Sequence, residues 1–480
     1  MTPPPTPPPR AASIDALRGY AILTMVLSSA IAFGILPAWM YHAQTPPPGH
    51  AFDPSIYGIT WVDLVFPLFL FAMGAAFPFS AGRKIENGAS PWTLTAGSLL
   101  RGGRLAFFAI FIQHMYPHVL SQPPDCRAWL LSLAAFATLF PIFLRIPWKW
   151  PKWAHRTVEL TGYAIAITLL LTVDYAGGRT FRLEFSNIII LVLANMAAFA
   201  SIAYIWTVRN RWARLLTLPF IMAVILGGTT NPDSWNAWLY NYTPASWLYS
   251  FRFLKYLFIV LPGSIAGEYI RQWLQTHQPT ASPQRKQKRE QITAVGLLLL
   301  SAGIIICNLY GLFTRQLTLN LAVSTGIVAA GYLLLRQRQP TAACTVLWRK
   351  LWTFGACLLL LGLFFEAFEG GIRKDHSTFS YYFVTSGLAC MALIVFSILC
   401  DYFQCRRSLS FLVMSGQNPM IAYVSASMVV VPLLNLAHLM PWLDSCGINP
   451  WLGCLRGVVI TALVTGLTMF FTRIKWFWRT

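Results

Sequence analysis

Long apolar segments alternate with short polar ones along the whole chain. Fourteen of them approach the roughly 20 residues that an α-helix needs to cross a bilayer. Two of the fourteen, 105–120 and 215–228, are short enough to be half-spans. The pattern predicts an all-α, polytopic membrane bundle of about twelve to fourteen helices, with ten as a lower limit. The segments cover residues 19–36, 59–79, 105–120, 128–145, 158–173, 187–206, 215–228, 253–270, 293–312, 318–335, 351–367, 381–400, 418–439 and 454–472.

Composition and charge placement support the same class. Of 480 residues, 56% are hydrophobic and 11% are charged, whereas soluble proteins carry roughly 25% charged residues. If the N-terminus is cytoplasmic, 27 of the 36 Lys and Arg residues fall in cytoplasmic segments, as the positive-inside rule requires. Both termini are therefore expected in the cytoplasm. Topology and contact with anionic lipid headgroups account for the net charge of +20, and no nucleic-acid-binding module is visible.

The polar segments suggest how the chain is divided. Residues 1–12 form a proline-rich cytoplasmic tail, and a basic cytoplasmic linker at 271–292 is expected to separate a transmembrane bundle at 13–270 from a second one at 293–480. The outer loop at 37–58 contains no Lys or Arg but includes His42, His50 and Asp53. Its three consecutive prolines prevent a continuous helix, so the surroundings must shape this loop.

Asp63 lies near the start of the second apolar segment, WVDLVFPLFLFAMG. A carboxylate at the centre of a membrane helix costs roughly 2.5–3.5 kcal/mol, so it is expected to face protein or a wet cavity. It could cap the start of the helix or pair with a base. It could equally orient a histidine or bind a polar substrate.

Two motifs flank the outer loop. The first is S-x-D-x-x-R-G at Ser13–Gly19, and the second is D-L-V-F-P-x-F-L-F-x-M-G at Asp63–Gly74. Together they resemble the heparan-α-glucosaminide N-acetyltransferase family, including its bacterial amino-sugar transacetylase relatives. Weaker similarity occurs at 372–387 and 415–424, and the middle of the chain is similar mainly in hydropathy.

This resemblance implies a membrane enzyme that transfers acetyl from cytoplasmic acetyl-CoA to the amine of a glucosamine-type sugar on the other side. The family's active histidine precedes a G-x-T sequence, which is Gly58–Thr60 here. His50 is the nearest preceding histidine and is the expected catalytic residue, with His42 as the second candidate and Asp63 as its companion. Ser29 stands where the animal enzyme has an asparagine and is a candidate substrate contact. The resemblance also implies a bacterial inner-membrane location and makes a homodimer plausible.

The resemblance extends to donor and acceptor contacts. Arg18, Arg101 and Arg104 are candidate partners for the phosphates of acetyl-CoA, or simply positive-inside residues. Arg373 and Lys374 belong to a charged cluster that either contacts the sugar or forms an ion-pair network. Asn418 is a candidate for stabilising the reaction's oxyanion. No metal site is predicted, because His114 and His118, four residues apart, have no recognisable third ligand.

The chemistry leaves alternatives open. A neutral histidine can take a proton from the attacking amine, or it can accept the acetyl group itself and pass it on. A sugar or peptide transporter is a different reading, motivated by the number of spans and by Asp63 and Glu268 within them. A polysaccharide O-acetyltransferase would differ from the first reading only in the acceptor atom.

Overall fold

The computed structural model describes residues 11–145, 150–276, 288–336, 343–445 and 449–480, and over these residues the chain is an all-α bundle without strands. Each of the fourteen apolar segments contains a long helix, so the predicted fold class is confirmed. These helices are α1 Ala12–Ala30, α2 Trp61–Glu86, α3 Pro91–His114, α4 Cys126–Phe143, α5 Lys152–Thr172, α6 Ile188–Thr207, α7 Arg211–Thr230, α8 Phe251–Thr276, α9 Lys288–Phe313, α10 Leu317–Leu335, α11 Ala343–Phe368, α12 Phe379–Tyr402, α13 Pro419–Leu436 and α14 Pro450–Arg473.

Shorter helices lie in the connections. They are Ala38–Met40, Pro117–Leu120, Ala176–Gly178, Trp235–Asn241, Ser410–Gln417 and Met440–Ser445.

Twelve of the long helices in the described ranges are apolar and long enough to cross a membrane by themselves; α1 and α5 are the other two. The two segments that sequence suggested as half-spans are full-length helices, α3 and α7. Arg211 in the first turn of α7, and Arg101 and Arg104 in the middle of α3, lower the local hydropathy, so hydropathy alone places the start of each helix too late. The structure therefore supports an integral membrane protein.

The centre of the bundle is α12, the most buried of the twelve, while α10 is the most exposed. Small residues let the central helices approach closely: at Gly74 of α2 and Gly263 and Gly267 of α8, backbone atoms of the facing helix leave no room for a methyl group. Buried residues of both predicted bundles belong to one continuous core. Residues 277–287 of the predicted linker lie outside the described residues.

Helix α1 runs antiparallel to α2 and packs against the helix Ser410–Gln417. Gly19 and Gly416 meet there, and each would place an added methyl group against the backbone of the other helix. Arg18 directly precedes Gly19, and its guanidinium donates to the backbone oxygens of Gly416 and Ala72, both at 3.3 Å. The first half of α1 is thereby tied to α2 and to a segment nearly 400 residues away in the sequence.

Candidate functional site

Asp63 lies at the start of α2, where the outer loop joins the helix. Its carboxylate accepts hydrogen bonds from the backbone N–H groups of Thr60 (3.0 Å) and Ala43 (3.1 Å) and from the Thr60 hydroxyl (3.3 Å). The residue is 2% exposed. Asp63 therefore caps the helix start, one of the two roles that sequence allowed, and also anchors the loop.

Asp63 also orients a histidine, the other role that sequence allowed, because a histidine lies against the same carboxylate. His42 Nδ1 is 2.7 Å from Asp63 Oδ1. A carboxylate only accepts hydrogen bonds, so Nδ1 is the nitrogen that donates to Asp63, and in the neutral form of such a ring the lone pair is on Nε2. The His42 side chain is 42% exposed. A partly exposed histidine oriented by a carboxylate is a common arrangement for proton transfer.

Lys374 completes this cluster. Its ammonium nitrogen lies 3.1 Å from Nδ1 and 3.5 Å from Nε2 of His42, and 3.8 Å from Asp63 Oδ1. We call His42, Asp63 and Lys374 the His42 cluster. Lys374 was predicted as a substrate contact from sequence, and the structure brings it to the histidine.

The loop that carries Lys374 is docked on the outer loop. The backbone N–H of Asp375 donates to Gln44 Oε1 at 2.8 Å, and the Gln44 amide nitrogen donates back to the Asp375 carbonyl. The N–H of Gly58 donates to the carbonyl of Ile372 at 2.8 Å. These bonds hold two loops, more than 300 residues apart in sequence, in one fixed arrangement around the His42 cluster.

The acidic part of the predicted charged cluster has structural roles. Glu369 accepts hydrogen bonds from the N–H groups of Phe379 and Ser380, both at 2.8 Å, and so caps α12. Glu366 pairs with Arg315. The cluster is thus divided: its acids stabilise the fold, and only Lys374 reaches Asp63.

His50, the histidine that sequence favoured, is used differently. Its Nε2 accepts a hydrogen bond from the N–H of Gly34 at 2.9 Å, and Nδ1–H donates to the carbonyl of Thr45 at 3.1 Å. The ring also packs edge-on against Tyr41 and Phe33. Both ring nitrogens are occupied by backbone groups, so we revise the preference for His50: the histidine that pairs with Asp63 is His42.

The reason lies in the path of the outer loop. The N–H of Asp53 donates to the carbonyl of Gln44 at 2.9 Å. Residues 45–52 therefore form a closed side loop, which we call the excursion. His42 therefore lies beside Thr60 although 18 residues separate them in the sequence. Just after the excursion, hydrogen bonds from the hydroxyl and N–H of Ser55 lower the pKa of Asp53. Counting residues back from Gly58 could not reveal this folding of the loop.

A cavity of about 320 Å³ opens at the opposite end of α1 and α2. Three arginines line it, Arg18, Arg101 and Arg479, and the residues further along the helices are apolar. A second cavity of about 610 Å³ shares Arg18 and Arg479 with the first and adjoins it there; we call this second cavity the mouth. We call this region the arginine end, and the region of the His42 cluster the loop end. The apolar lining of the first cavity includes Met25, Phe66, Phe69, Met73, Leu105 and Phe108.

The remaining sequence candidates lie elsewhere. Arg104 does not line the cavity; it donates to the carbonyl of Ile142 at 2.7 Å and pairs with Glu159 at 3.1 Å. The Ser29 hydroxyl donates to its own helix, at the carbonyl of Val26 (2.9 Å). Arg104 therefore lies outside the cavity lined by Arg18 and Arg101, and the Ser29 hydroxyl is engaged within its own helix.

Asn418 and Arg373 also bind backbone. The Asn418 amide nitrogen donates to the carbonyl of Trp476 at 2.7 Å, and its oxygen accepts from the N–H of Trp478 at 3.3 Å, which places it at the arginine end rather than beside His42. Arg373 donates to the carbonyl of Pro54 at 3.0 Å and stacks on Tyr57. Arg373 fastens the two loops together near the cluster without touching it.

Glu268, which motivated a transporter, is part of a charged network. It pairs with Arg211 and, at 2.7 Å, with the fully buried Arg214. Arg214 also donates to the hydroxyl of Ser264 at 3.0 Å. This network ties α7 to α8 and accounts for the carboxylate without a transported substrate.

His114 is likewise enclosed in the fold. Its Nδ1 lies 2.8 Å from the carbonyl of Ile110, and its ring packs among Tyr175, Phe181 and Phe185. Within the described ranges, no three His, Cys, Asp or Glu side chains are grouped so that they could hold a metal ion.

Residues 10–270 match the family described as a domain of unknown function (DUF5009), and since this is more than half of the chain, the protein belongs to that family. The matched range includes His42, Asp63, Arg18 and Arg101 and ends within α8. No curated protein matches the chain.

Proposed function

We propose that this protein is a transmembrane acetyltransferase that moves acetyl from cytoplasmic acetyl-CoA to the amine of a glucosamine-type sugar on the other side of a bacterial inner membrane. One observation carries the proposal: an aspartate-oriented histidine lies close to the inner end of a cavity whose other end is lined by arginines. Phe66, which lines that cavity, is only one helical turn from Asp63.

The cavity suits a long donor that is charged at one end. Acetyl-CoA has phosphate groups at one end of a slender arm and the thioester at the other. Guanidinium groups bind phosphates through paired, charge-assisted hydrogen bonds. Along α2, the cavity is lined from Ser80 to Phe66, which is about 20 Å at the helical rise per residue. A donor whose phosphates contact the arginines could therefore present its thioester towards the His42 cluster.

The His42 cluster suits the chemistry of acetyl transfer. As the amine nitrogen bonds to the thioester carbon, Nε2 of His42 accepts the proton that the nitrogen loses. Asp63 holds the ring in the required tautomer and stabilises the imidazolium that forms. When the carbon–sulfur bond breaks, the same proton passes to the sulfur, and the products are the amide and the free thiol. Transfer through an acetylated His42 remains the second route.

Lys374 has a role in this scheme. The thioester oxygen gains negative charge when the amine adds, and a positioned donor stabilises that charge. The ammonium of Lys374 lies 3.5 Å from Nε2, the atom that faces the reacting amine. We assign Lys374 to this oxygen, in place of Asn418.

The test is a transfer assay on the full chain in lipid nanodiscs. Acetyl-CoA and glucosamine are supplied, release of free thiol is followed, and mass spectrometry separates an amide from an ester product. We expect His42→Ala to reduce the rate by about 10²- to 10⁴-fold, the usual contribution of general acid–base catalysis.

His50→Ala is the matched control, since it removes a histidine from the same loop. Thermal melting of each variant shows whether it is folded. Thiol release by the wild type at the same rate as by His42→Ala would disprove the proposal for this acceptor. Accumulation of labelled sugar in proteoliposomes without acetyl-CoA would support a transporter instead.

A further inference from the structure

We propose that residues 474–480 form part of the donor site, and that Arg479 joins Arg18 and Arg101 in binding the donor's phosphate groups. The inference rests on the proposed function for the identity of the donor, but binding can be measured without turnover. Arg479 lies outside the matched family range, and no sequence motif indicated it.

The chain reverses direction sharply after α14. The helix ends at Arg473, and Lys475 adopts a left-handed conformation with φ of 61°. The N–H of Trp476 then donates to the carbonyl of Phe471 at 2.9 Å. This hydrogen-bond pattern is the usual way for a helix to end while its chain turns back, and here it directs residues 476–480 into the bundle.

Backbone pairing fixes the segment against the end of α4. The N–H of Arg145 donates to the carbonyl of Phe477 at 2.9 Å, and the N–H of Arg479 donates to the carbonyl of Phe143 at 2.7 Å. Leu144 and Trp478 form an isolated antiparallel bridge between the two segments. Because these bonds bracket Trp478, the position of the Arg479 backbone is set by its neighbours on both sides.

Side chains fix it further. Trp478 is 2% exposed, and Asn418 binds the backbone of Trp476 and Trp478 on the other side of the segment. The indole ring lies within contact of four phenylalanines of α3 and α4. They are Phe108, Phe136, Phe140 and Phe143. The segment is therefore an integral part of the core and not a loose end.

This anchoring brings Arg479 to the cavity. Arg479 and Thr480 line it together with Arg18 and Arg101, and Arg101 Nε donates to the Thr480 hydroxyl at 3.2 Å. Arg18 and Arg479 are both close enough to Arg101 for their charges to act on it. Arg18 also pairs with Asp15 at 3.7 Å, but three guanidinium groups outnumber this single carboxylate, and like charges that converge on one cavity repel each other. A ligand with several negative charges attracts all three guanidinium groups and offsets their mutual repulsion. The cavity therefore favours a polyphosphate over a neutral ligand.

Phosphate groups could also come from a lipid. A lipid headgroup would bind at the mouth, whereas CoA would also fill the apolar part of the cavity towards Phe66. The shared chemistry is a phosphate bound by guanidinium groups. The experiment therefore needs one arm for each source.

Calorimetric titration of desulfo-CoA, which has no thiol to acetylate, tests the inference. The full chain is placed in phosphatidylcholine nanodiscs, and the titration is repeated in nanodiscs that contain phosphatidylglycerol. We expect Arg479→Gln to weaken binding about 10- to 100-fold, the loss typical of a hydrogen bond to a charged group, and Arg479→Lys to restore part of it. Arg473→Gln is the matched control, because Arg473 is exposed and lines neither cavity. Melting curves verify that each variant is folded.

The outcomes separate the two proposals. Equal affinity of wild type and Arg479→Gln, equal losses in Arg479→Gln and Arg473→Gln, or no binding by the wild type would each overturn the inference. Loss of the Arg479 effect when phosphatidylglycerol replaces phosphatidylcholine would assign the site to lipid and also overturn it. If Arg479→Gln weakens desulfo-CoA binding while no acceptor is acetylated, the inference stands and the proposed reaction fails. If acetyl transfer is observed and its KM for acetyl-CoA is unchanged in Arg479→Gln, the proposed reaction stands and the inference about Arg479 fails.

Discussion

The loop end and the arginine end of α1 and α2 are constructed in opposite ways. At the loop end, Asp63 is 2% exposed, and its carboxylate accepts hydrogen bonds from the backbone N–H groups of Ala43 and Thr60. The same carboxylate binds Nδ1 of His42 and so holds the ring in one orientation. At the arginine end, the long side chains of Arg18, Arg101 and Arg479 converge on a cavity. Proton transfer needs fixed geometry, whereas binding a polyanion needs charge and reach. The difference agrees with the proposed function, which assigns chemistry to the loop end and donor binding to the arginine end.

The largest effect should come from Asp63→Asn. The amide would donate to Nδ1 of His42 and so move the ring proton to Nε2, where it blocks proton acceptance. We expect kcat to fall about 10³-fold or more, with KM for acetyl-CoA little changed, because the arginine end is untouched. Steady-state kinetics on folded protein measures this. A rise in KM with constant kcat would mean that the two ends are not functionally distinct.

Lys374 comes next. Lys374→Met removes the ammonium but keeps the length of the side chain, and loss of one donor to a developing oxyanion typically costs about 10²-fold in kcat. Lys374→Arg should recover part of the rate. If Lys374→Met instead raises only KM for the sugar, the residue binds the acceptor and does not stabilise the transition state.

Two neighbouring arginines test the arginine end. Arg101 lines the cavity, whereas Arg104, one turn further along α3, binds Ile142 and Glu159. We expect Arg101→Gln to raise KM for acetyl-CoA about 10-fold or more, and Arg104→Gln to change it little. Similar changes in the two variants would show that the positive charge of this surface matters but the cavity does not.

The smallest catalytic effect should come from His50→Gln. The glutamine cannot reproduce both backbone hydrogen bonds of the ring, so the outer loop should lose about 1–3 kcal/mol of local stability. We expect a lower melting temperature with kcat within a few-fold of the wild type. Hydrogen exchange of residues 34–50 would localise the effect. A loss of kcat as large as that of His42→Ala would restore His50 as the catalytic candidate.

Much of the fold could be predicted from local patterns. Helix type and approximate position depend on apolar runs that act over about 20 residues, and all fourteen runs became helices. Only the ends were misjudged: α3 begins at Pro91 and α7 at Arg211, before the apolar runs that hydropathy places at 105 and 215. Asp63 could be identified as a protein-facing carboxylate for the same reason, because burying a charge in lipid is costly wherever the helix lies.

The sequence by itself thus determined a polytopic helical membrane protein with a carboxylate-bearing second span beside a histidine-containing loop. Only the tertiary structure decided that His42 pairs with Asp63, that Lys374 joins them and that Arg479 lines the cavity. Each of these depends on contacts between residues far apart in the chain: the excursion closed by Asp53 and Gln44, the docking of the two outer loops, and the chain reversal after α14. Local hydropathy carries no information about such contacts, because long-range backbone pairing and core packing set them.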